Sequence, residues 1–238
     1  MQALILAGGK GARLRPYTTV LPKPLMPIGD LPILEIILRQ LQSAGFDSVV
    51  LAVGYMSHLF ESFFSDGEKY GLKIQYSFED EPLGTAGPIA LAIDQLEDNF
   101  LVMNGDLLTN IDYSRLMSEH IQARVAATIA SHRREVKIDY GVIQKSAAGQ
   151  LLGYDEKPSF EYDVSMGINV FQRRAVSEII QPGKYLDIPD LMLELTNTGY
   201  AVNCSNQDCD WLDIGRLDDY QVASELFEQR REDFLPQT

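Results

Sequence analysis

Up to residue 105 the chain repeats one pattern, a short apolar run followed by a segment whose apolar residues recur at helical spacing. Gln2–Ala7, Ser48–Val53 and Phe100–Asn104 are too short for helices. They also lack the polar alternation of a half-wetted strand, so they read as strands buried on both faces. Pro32–Ala44 sets Ile33, Ile36, Ile37, Leu38 and Leu41 on one helical face and stops at Gly45. Ser57–Phe64 and Thr85–Leu96 read as further helices, and Lys73–Phe78 alternates like a strand. Buried parallel strands need crossover connections, which the intervening helices supply.

The first half therefore reads βαβαβαβ. The fold class this predicts is α/β: a Rossmann-like three-layer α/β/α arrangement with a mixed, mostly parallel central sheet and a ligand at the strand C-termini. The second half is less regular. Val125–Ser131, Gly141–Gln144, Leu151–Tyr154, Ser165–Phe171 and Ala201–Asn203 read as strands. Arg174–Ile180, Pro189–Thr196 and Leu217–Gln229 read as helices. With no low-complexity linker between the halves, residues 1–238 are expected to form one domain, with a nucleotide-binding half at 1–110 and a sugar-phosphate-binding half at 111–238.

Cys204 and Cys209 fit neither a zinc spacing nor a CxxC pair and are expected to be reduced thiols. The first residues hold no basic segment leading into a long apolar run, so the expected location is cytoplasmic. The net charge of −14 argues against nucleic acid or anionic membrane as a partner. Any anionic ligand must then meet a local basic patch. Met1–Gly29 contains Lys10, Arg13, Arg15 and Lys23 and no acid. Even scattering of the acids would place about four there, so the stretch has the charge of an anion site.

Gly8, Gly9 and Gly11 follow the first strand. Glycines turn at positive φ and expose backbone N–H groups, which makes such a turn a phosphate cradle or a plain strand exit. Neither GxGxxG nor GxxxxGK[ST] is complete here. The turn continues into Arg13-Leu14-Arg15-Pro16, and then into Pro22-Lys23-Pro24-Leu25.

In the stretch LAGGKGARLRPYT…LPKPLMPIG the chain resembles the sugar-phosphate nucleotidyltransferase family, departing mildly at Tyr17. The resemblance implies that Leu6, Ala7, Gly8, Gly9 and Gly11 bind nucleotide, that Arg13 stabilises a departing pyrophosphate and that Lys23 holds phosphates. A guanidinium fork and an ammonium point charge suit those tasks. In PLGTAG, Gly84 and Thr85 are implied to contact the nucleoside, and Glu79 is a candidate for the base edge. Taken alone, Thr85 is a possible helix N-cap.

Asp106 ends a buried strand, where an aspartate serves a turn, a cap or a metal. The resemblance implies Mg²⁺ on Asp106, with Asp213 of Trp211-Leu212-Asp213-Ile214-Gly215 as its partner. Two carboxylates distant in sequence suit a hard cation shared with substrate phosphates. For the sugar phosphate the resemblance implies Gly141, Glu156, Lys157 and Gly167. Asn169 is added as a candidate for a hydroxyl, while Asp208 and Asp210 read as exposed loop acids. Without the resemblance, Glu156-Lys157 is an ordinary surface pair.

The resemblance runs from the glycine turn through Asp213. Longer members carry a left-handed β-helix after this domain, and no hexapeptide series follows the last predicted helix here. The implied reaction joins a nucleoside triphosphate to a sugar 1-phosphate. Leu51–Tyr55 and EPLGTAGP look most like mannose-1-phosphate guanylyltransferases, which favours GTP and a mannose- or manno-heptose-like acceptor. Thymidylyl, cytidylyl and uridylyl transfer stay open, as do a glycosyltransferase and a nucleotide-sugar-binding regulatory subunit. A homodimer is the default assembly.

Overall fold

The computed structural model describes residues 1–235, so 236–238 of the expected domain lie outside the described residues. Strand β1 (Gln2–Leu6) opens the chain, and a small hairpin of β2 (Pro27–Ile28) and β3 (Leu31–Pro32) leads into helix α1 (Ile33–Ser43). There follow β4 (Ser48–Val53), α2 (Ser57–Phe64), β5 (Lys73–Phe78), α3 (Gly87–Ala92), β6 (Asn99–Asn104) and the short β7 (Leu107–Thr109). The second half comprises α4 (Tyr113–Ala123), β8 (Ala127–Lys137), β9 (Val142–Lys145), β10 (Leu151–Asp155), β11 (Ser159–Gln172) and α5 (Arg173–Ser177). It closes with α6 (Ile188–Asn197), β12 (Val202–Asn206), β13 (Trp211–Asp213), α7 (Leu217–Gln229) and α8 (Arg231–Phe234).

Seven strands form the main sheet in the order β12-β8-β11-β6-β1-β4-β5. Parallel ladders join β1 to β4 and β6, β4 to β5, and β8 to β12. Only β11 runs against its neighbours, β6 and β8. This is the mixed, mostly parallel sheet the sequence predicts, and it runs through both halves of the chain. Alternate residues of β1 feed opposite cores. Ala3 and Ile5 pack with Leu34, Ile37, Phe60, Leu116 and Phe227, whereas Leu4 packs with Ile89, Phe100, Phe171, Leu191 and Leu195. Helices α1, α2, α4 and α7 thus cover one face and α3, α5 and α6 the other, giving three layers.

Several boundaries differ from the sequence expectation. Strand β11 starts at Ser159, because its first half pairs with the outer half of β8 as a two-stranded ribbon, from Ser159↔Lys137 to Ser165↔Ser131. That ribbon is mostly exposed and has no apolar period to read. Helix α3 is shorter than Thr85–Leu96 and ends in a 3₁₀ turn at Ile93–Gln95. Thr85 is not its N-cap, which is Ala86. Helix α5 stops at Ser177 instead of Ile180.

Candidate functional site

From β1 the chain winds to β4 and β5, then returns to β6 on the other side of β1. The crossovers leaving β1 and entering β6 therefore diverge, opening a crevice beyond the C-terminal ends of these two strands. The ladder holds to its rim, with Ala7 N donating to Ala52 O (2.8 Å) and Gly105 N to Leu6 O (2.9 Å). A cleft of ≈ 490 Å³ occupies this position. Its walls include Leu6, Ala7, Gly8, Gly9, Gly11, Arg13, Lys23, Glu79, Gly84, Thr85 and Asp106. Residues spread over a hundred positions are thus brought together.

The glycines of the turn have identifiable reasons. Gly11 lies at φ 58°, and Thr18 Oγ1 donates to its carbonyl at 2.7 Å. A side-chain carbon on Gly8 would stand 2.7 Å from Glu79 Oε1, so only glycine lets that carboxylate lie against the turn. Glu79 Oε2 accepts the Leu83 N–H at 3.3 Å. Burial pushes the Glu79 pKa up, opposed by that N–H.

The acidic end is assembled by a short ladder that sequence periodicity does not reveal. Strand β13 pairs with β7, setting Asp213 opposite Leu107, and Ile214 N donates to Asp106 O at 3.2 Å. Trp211 Nε1 donates to Met166 O at 2.9 Å and ties β13 to β11. Asp210 is no idle loop acid. Its carboxylate takes two bonds from Arg230 (3.0 and 2.7 Å) and one from Asn110 Nδ2 (3.0 Å), clasping the end of α7 to the start of β13.

Lys23, buried in the Pro22-Lys23-Pro24 turn, donates to Asp106 Oδ2, and its ammonium lies 3.9 Å from Asp213 Oδ1. Asp106 Oδ1 is buried and has no hydrogen-bond partner. Partial burial and then the Asp106 carboxylate push the Asp213 pKa up, against the pull of Lys23 and Arg13. Arg13 is near the same spot. A carbon added to Gly215 would lie 3.9 Å from its Nη1 and 3.8 Å from Asp213 Oδ2. The described residues hold no cluster of three His, Cys, Asp or Glu able to cage a metal. Two carboxylates, one with a bare buried oxygen, fit a hard divalent cation completed by substrate oxygens.

The PLGTAG loop has a structural role besides lining the cleft. Gly84 is at φ 80°, and a side-chain carbon there would meet Leu186 O at 2.5 Å. Leu186 O accepts from Ala86 N (2.8 Å) and Gly87 N (3.1 Å). Thr85 Oγ1 donates to Asp187 Oδ1 (3.1 Å) and accepts the Ile188 N–H (2.8 Å), so Thr85 caps α6. Tyr185 donates to Asp187 Oδ2 (2.8 Å), and this bond leads in holding the Asp187 pKa down. Tyr185 and Asp187 also line the cleft, although neither belongs to a motif that points there. The sequence signal near them is Asp-Ile-Pro at the start of α6, which marks only a helix start.

The residues implied for the sugar phosphate divide. Gly167 (φ 71°) packs on Asn104, a cleft residue, since a carbon there would stand 2.6 Å from Asn104 Nδ2. Asn169 is 1% exposed, and neither atom of its amide has a partner. Gly141 instead packs under the Tyr154 ring, and Glu156 and Lys157 are exposed between β10 and β11, with Lys157 at φ 47°. Neither these three nor Gly167 and Asn169 form part of the cleft wall, though Gly167 packs on a residue that does.

A family model described as nucleotidyl transferase matches residues 2–230. A UTP--glucose-1-phosphate uridylyltransferase of Synechocystis is 33% identical over 94% of this chain and 62% of its own length. A mannose-1-phosphate guanylyltransferase of Mycobacterium tuberculosis is 35% identical over 76% of this chain and 51% of its own. The catalytic subunit beta of that enzyme from Xenopus tropicalis is 35% identical, with 96% and 65% covered. The chain thus spans 51–65% of the length of these curated relatives. A putative glucose-1-phosphate thymidylyltransferase of Bacillus anthracis shares the fold with a TM-score of 0.77 at 22% identity, covering 98% of this chain and 99% of that one. HddC of Yersinia pseudotuberculosis, solved with GMP-PN, does so at 0.73 and 23% identity, covering 95% and 99%. No helix of the described residues is long and apolar enough to cross a membrane.

Proposed function

The chain belongs to the nucleotidyl transferase family, and on that premise we propose that it joins a nucleoside triphosphate to a sugar 1-phosphate with release of pyrophosphate. The observation that carries this reading is the meeting, at one crevice, of an acid-free glycine turn with Lys23, Asp106 and Asp213. A phosphate oxygen of the sugar 1-phosphate attacks the α-phosphorus, the bond to the β-phosphate oxygen breaks, and pyrophosphate leaves with the electron pair. The attacking oxygen is already ionised near neutral pH, so the protein aligns and neutralises instead of abstracting a proton.

Arg13 and the turn amides take the leaving pyrophosphate, and Lys23 takes phosphate charge. Asp106 and Asp213 would hold Mg²⁺, which supplies neutralisation between two anionic substrates. On the acceptor side Asn169, two residues past Gly167 on β11, offers an unpartnered amide. Glu156 and Lys157 are assigned to the sugar phosphate by resemblance, from a turn outside the cleft wall.

GTP is the proposed nucleotide because Glu79 offers a carboxylate at the turn, and guanine presents N1–H and N2–H₂ side by side as donors. Uracil and thymine present one N–H flanked by two carbonyls, which a carboxylate meets less well. The guanylyltransferase relatives favour a mannose- or manno-heptose-like acceptor. The second reading, uridylyl transfer to glucose 1-phosphate, has the Synechocystis relative in its favour. Pyrophosphate release across GTP, UTP, dTTP, CTP and ATP with several sugar 1-phosphates separates them. Asp106→Asn is expected to cut turnover by about 10²–10³ with Mg²⁺ and both substrates saturating. A variant within a few-fold of wild type would sink the assignment.

A further inference from the structure

Beside the glycine turn lies a second, outer concavity of ≈ 370 Å³ lined by Lys10, Arg15, Thr18, Thr19 and Tyr55, none of which lines the crevice. Lys10 stands between Gly9 and Gly11, both of which line the inner cleft, so the turn is the shared wall of the two cavities. Thr18 locks the outer cavity to that wall through its bond to the Gly11 carbonyl. Among the described residues neither Lys10 nor Arg15 has a carboxylate within 4.0 Å. The first acid of the chain, Asp30, is engaged by Arg231 at 2.5 Å. Two free cations facing a concavity, with hydroxyls around them, are unusual on a chain of net charge −14. They attract a small anion, while the surrounding negative field disfavours a polyanionic chain.

Guanidinium and ammonium together suit phosphate oxygens. We propose that Lys10 and Arg15 form a second phosphate-anion site on the outer side of the glycine turn, which takes pyrophosphate as it leaves the inner cleft. The exit role rests on the nucleotidyl-transfer reading, whereas the site itself does not. The attraction is directional in effect. Once the bond to the α-phosphorus is broken, pyrophosphate carries one more charge than it did within the triphosphate. It is therefore drawn toward the two outer cations more strongly than the bound substrate is.

The test is calorimetric titration of the full chain, its inner cleft filled with a non-hydrolysable GTP analogue, with sodium pyrophosphate and no added divalent cation, for wild type, Lys10→Gln, Arg15→Gln and the double variant. Removing either cation is expected to weaken binding about tenfold, and removing both about 100-fold. Wild-type affinity is expected to drop as salt is raised toward 0.5 M. Both side chains are exposed, so the variants are expected to melt with wild type, which separates weakened binding from a damaged fold. A double variant that binds pyrophosphate within twofold of wild type overturns the proposal.

A titration of the loaded protein with orthophosphate, and the rate of pyrophosphate release after a single turnover, identify the source of the anion. Exit from the cleft is supported when the double variant releases pyrophosphate more slowly than wild type after a single turnover. It is refuted in favour of anion supplied from solution when the double variant releases it as fast as wild type while wild type binds pyrophosphate and orthophosphate at the outer site. A wild type that binds pyrophosphate here yet releases none from any triphosphate and sugar 1-phosphate refutes the reaction and leaves the site standing.

Discussion

Gly11→Ala probes the turn through a contact that can be removed separately. Alanine at φ 58° carries the left-handed penalty of about 1–2 kcal/mol. Its methyl would also stand 2.9 Å from Thr18 Cγ2, and 3.3 Å from Thr18 Cβ and Lys23 Cβ. Thr18 is 3% exposed and held by its bond to the Gly11 carbonyl, so it cannot swing aside. Overpacking of this kind adds about 1–3 kcal/mol, for a total near 3 kcal/mol. Thr18→Ser deletes Cγ2, the nearest atom, and keeps the hydroxyl. Alone it should cost about 1 kcal/mol for the missing buried methyl. In the double variant the tightest clash is gone, so the two costs should not add, and a favourable coupling of about 1–2 kcal/mol is expected. Urea unfolding of the four proteins, with slopes required to agree, measures this cycle. Costs that add to within about 0.5 kcal/mol would refute the steric account and leave backbone strain as the whole penalty.

Two further outcomes follow from side chains on opposite faces of the sheet. His120 is buried, with Nε2 3.2 Å from Asn99 Oδ1 and Nδ1 2.9 Å from Thr128 Oγ1. Asn99 Oδ1 can only accept, so Nε2 carries the proton and Nδ1 accepts from Thr128. Burial drives the His120 pKa from 6.5 to about 4. Between those values the unfolded chain takes up a proton the folded one refuses, so stability should fall by up to about 3 kcal/mol as pH drops through this window. His120→Gln, measured by urea unfolding from pH 7 to 4, should flatten that slope, and an unchanged slope would refute the assignment. Thr85→Val orphans the Ile188 N–H and should cost about 1 kcal/mol, with Thr85→Ser restoring it. The accompanying rise in nucleotide KM should reverse with it, and a KM that ignores both changes would remove Thr85 from the nucleotide site.

The first half is legible because its strands are buried on both faces and its helices show one wet face. Those patterns survive in the sequence whatever the ligand. The glycine turn and Lys23 are legible for a different reason, since chemistry concentrates in that short stretch of chain, whereas Asp106, far downstream, is singled out by the family resemblance. What stays hidden depends on pairing between distant segments. The ladder of β7 with β13 is three residues deep and has no period of its own. Local sequence makes Thr85 a cap for the helix it precedes. In the fold it caps α6, about a hundred residues on, because Leu186 docks against Gly84 and Gly87. Tyr185 and Asp187 enter the cleft wall through that docking, which no local pattern announces.

Sheet order also bears on the geometry of the proposed transfer. In-line displacement requires the attacking and leaving oxygens on opposite sides of the phosphorus. Strand β6 lies between β1 and the antiparallel β11. Beyond β1 are the glycine turn and Arg13, the groups suited to the leaving pyrophosphate. On β11 are Gly167 and Asn169, the groups proposed for the acceptor, with Asn169 directly opposite Val102 of β6. Asp106, just past the end of β6, stands between them, and β13 delivers Asp213 to the same place. Helix α4 carries the chain from β6 across to the parallel β8, and β11 then returns antiparallel into the gap between them. On the proposed assignment β11 brings the acceptor groups to the flank of β6 opposite the nucleotide, so the insertion of one antiparallel strand would set the two substrates on opposite sides of the carboxylates.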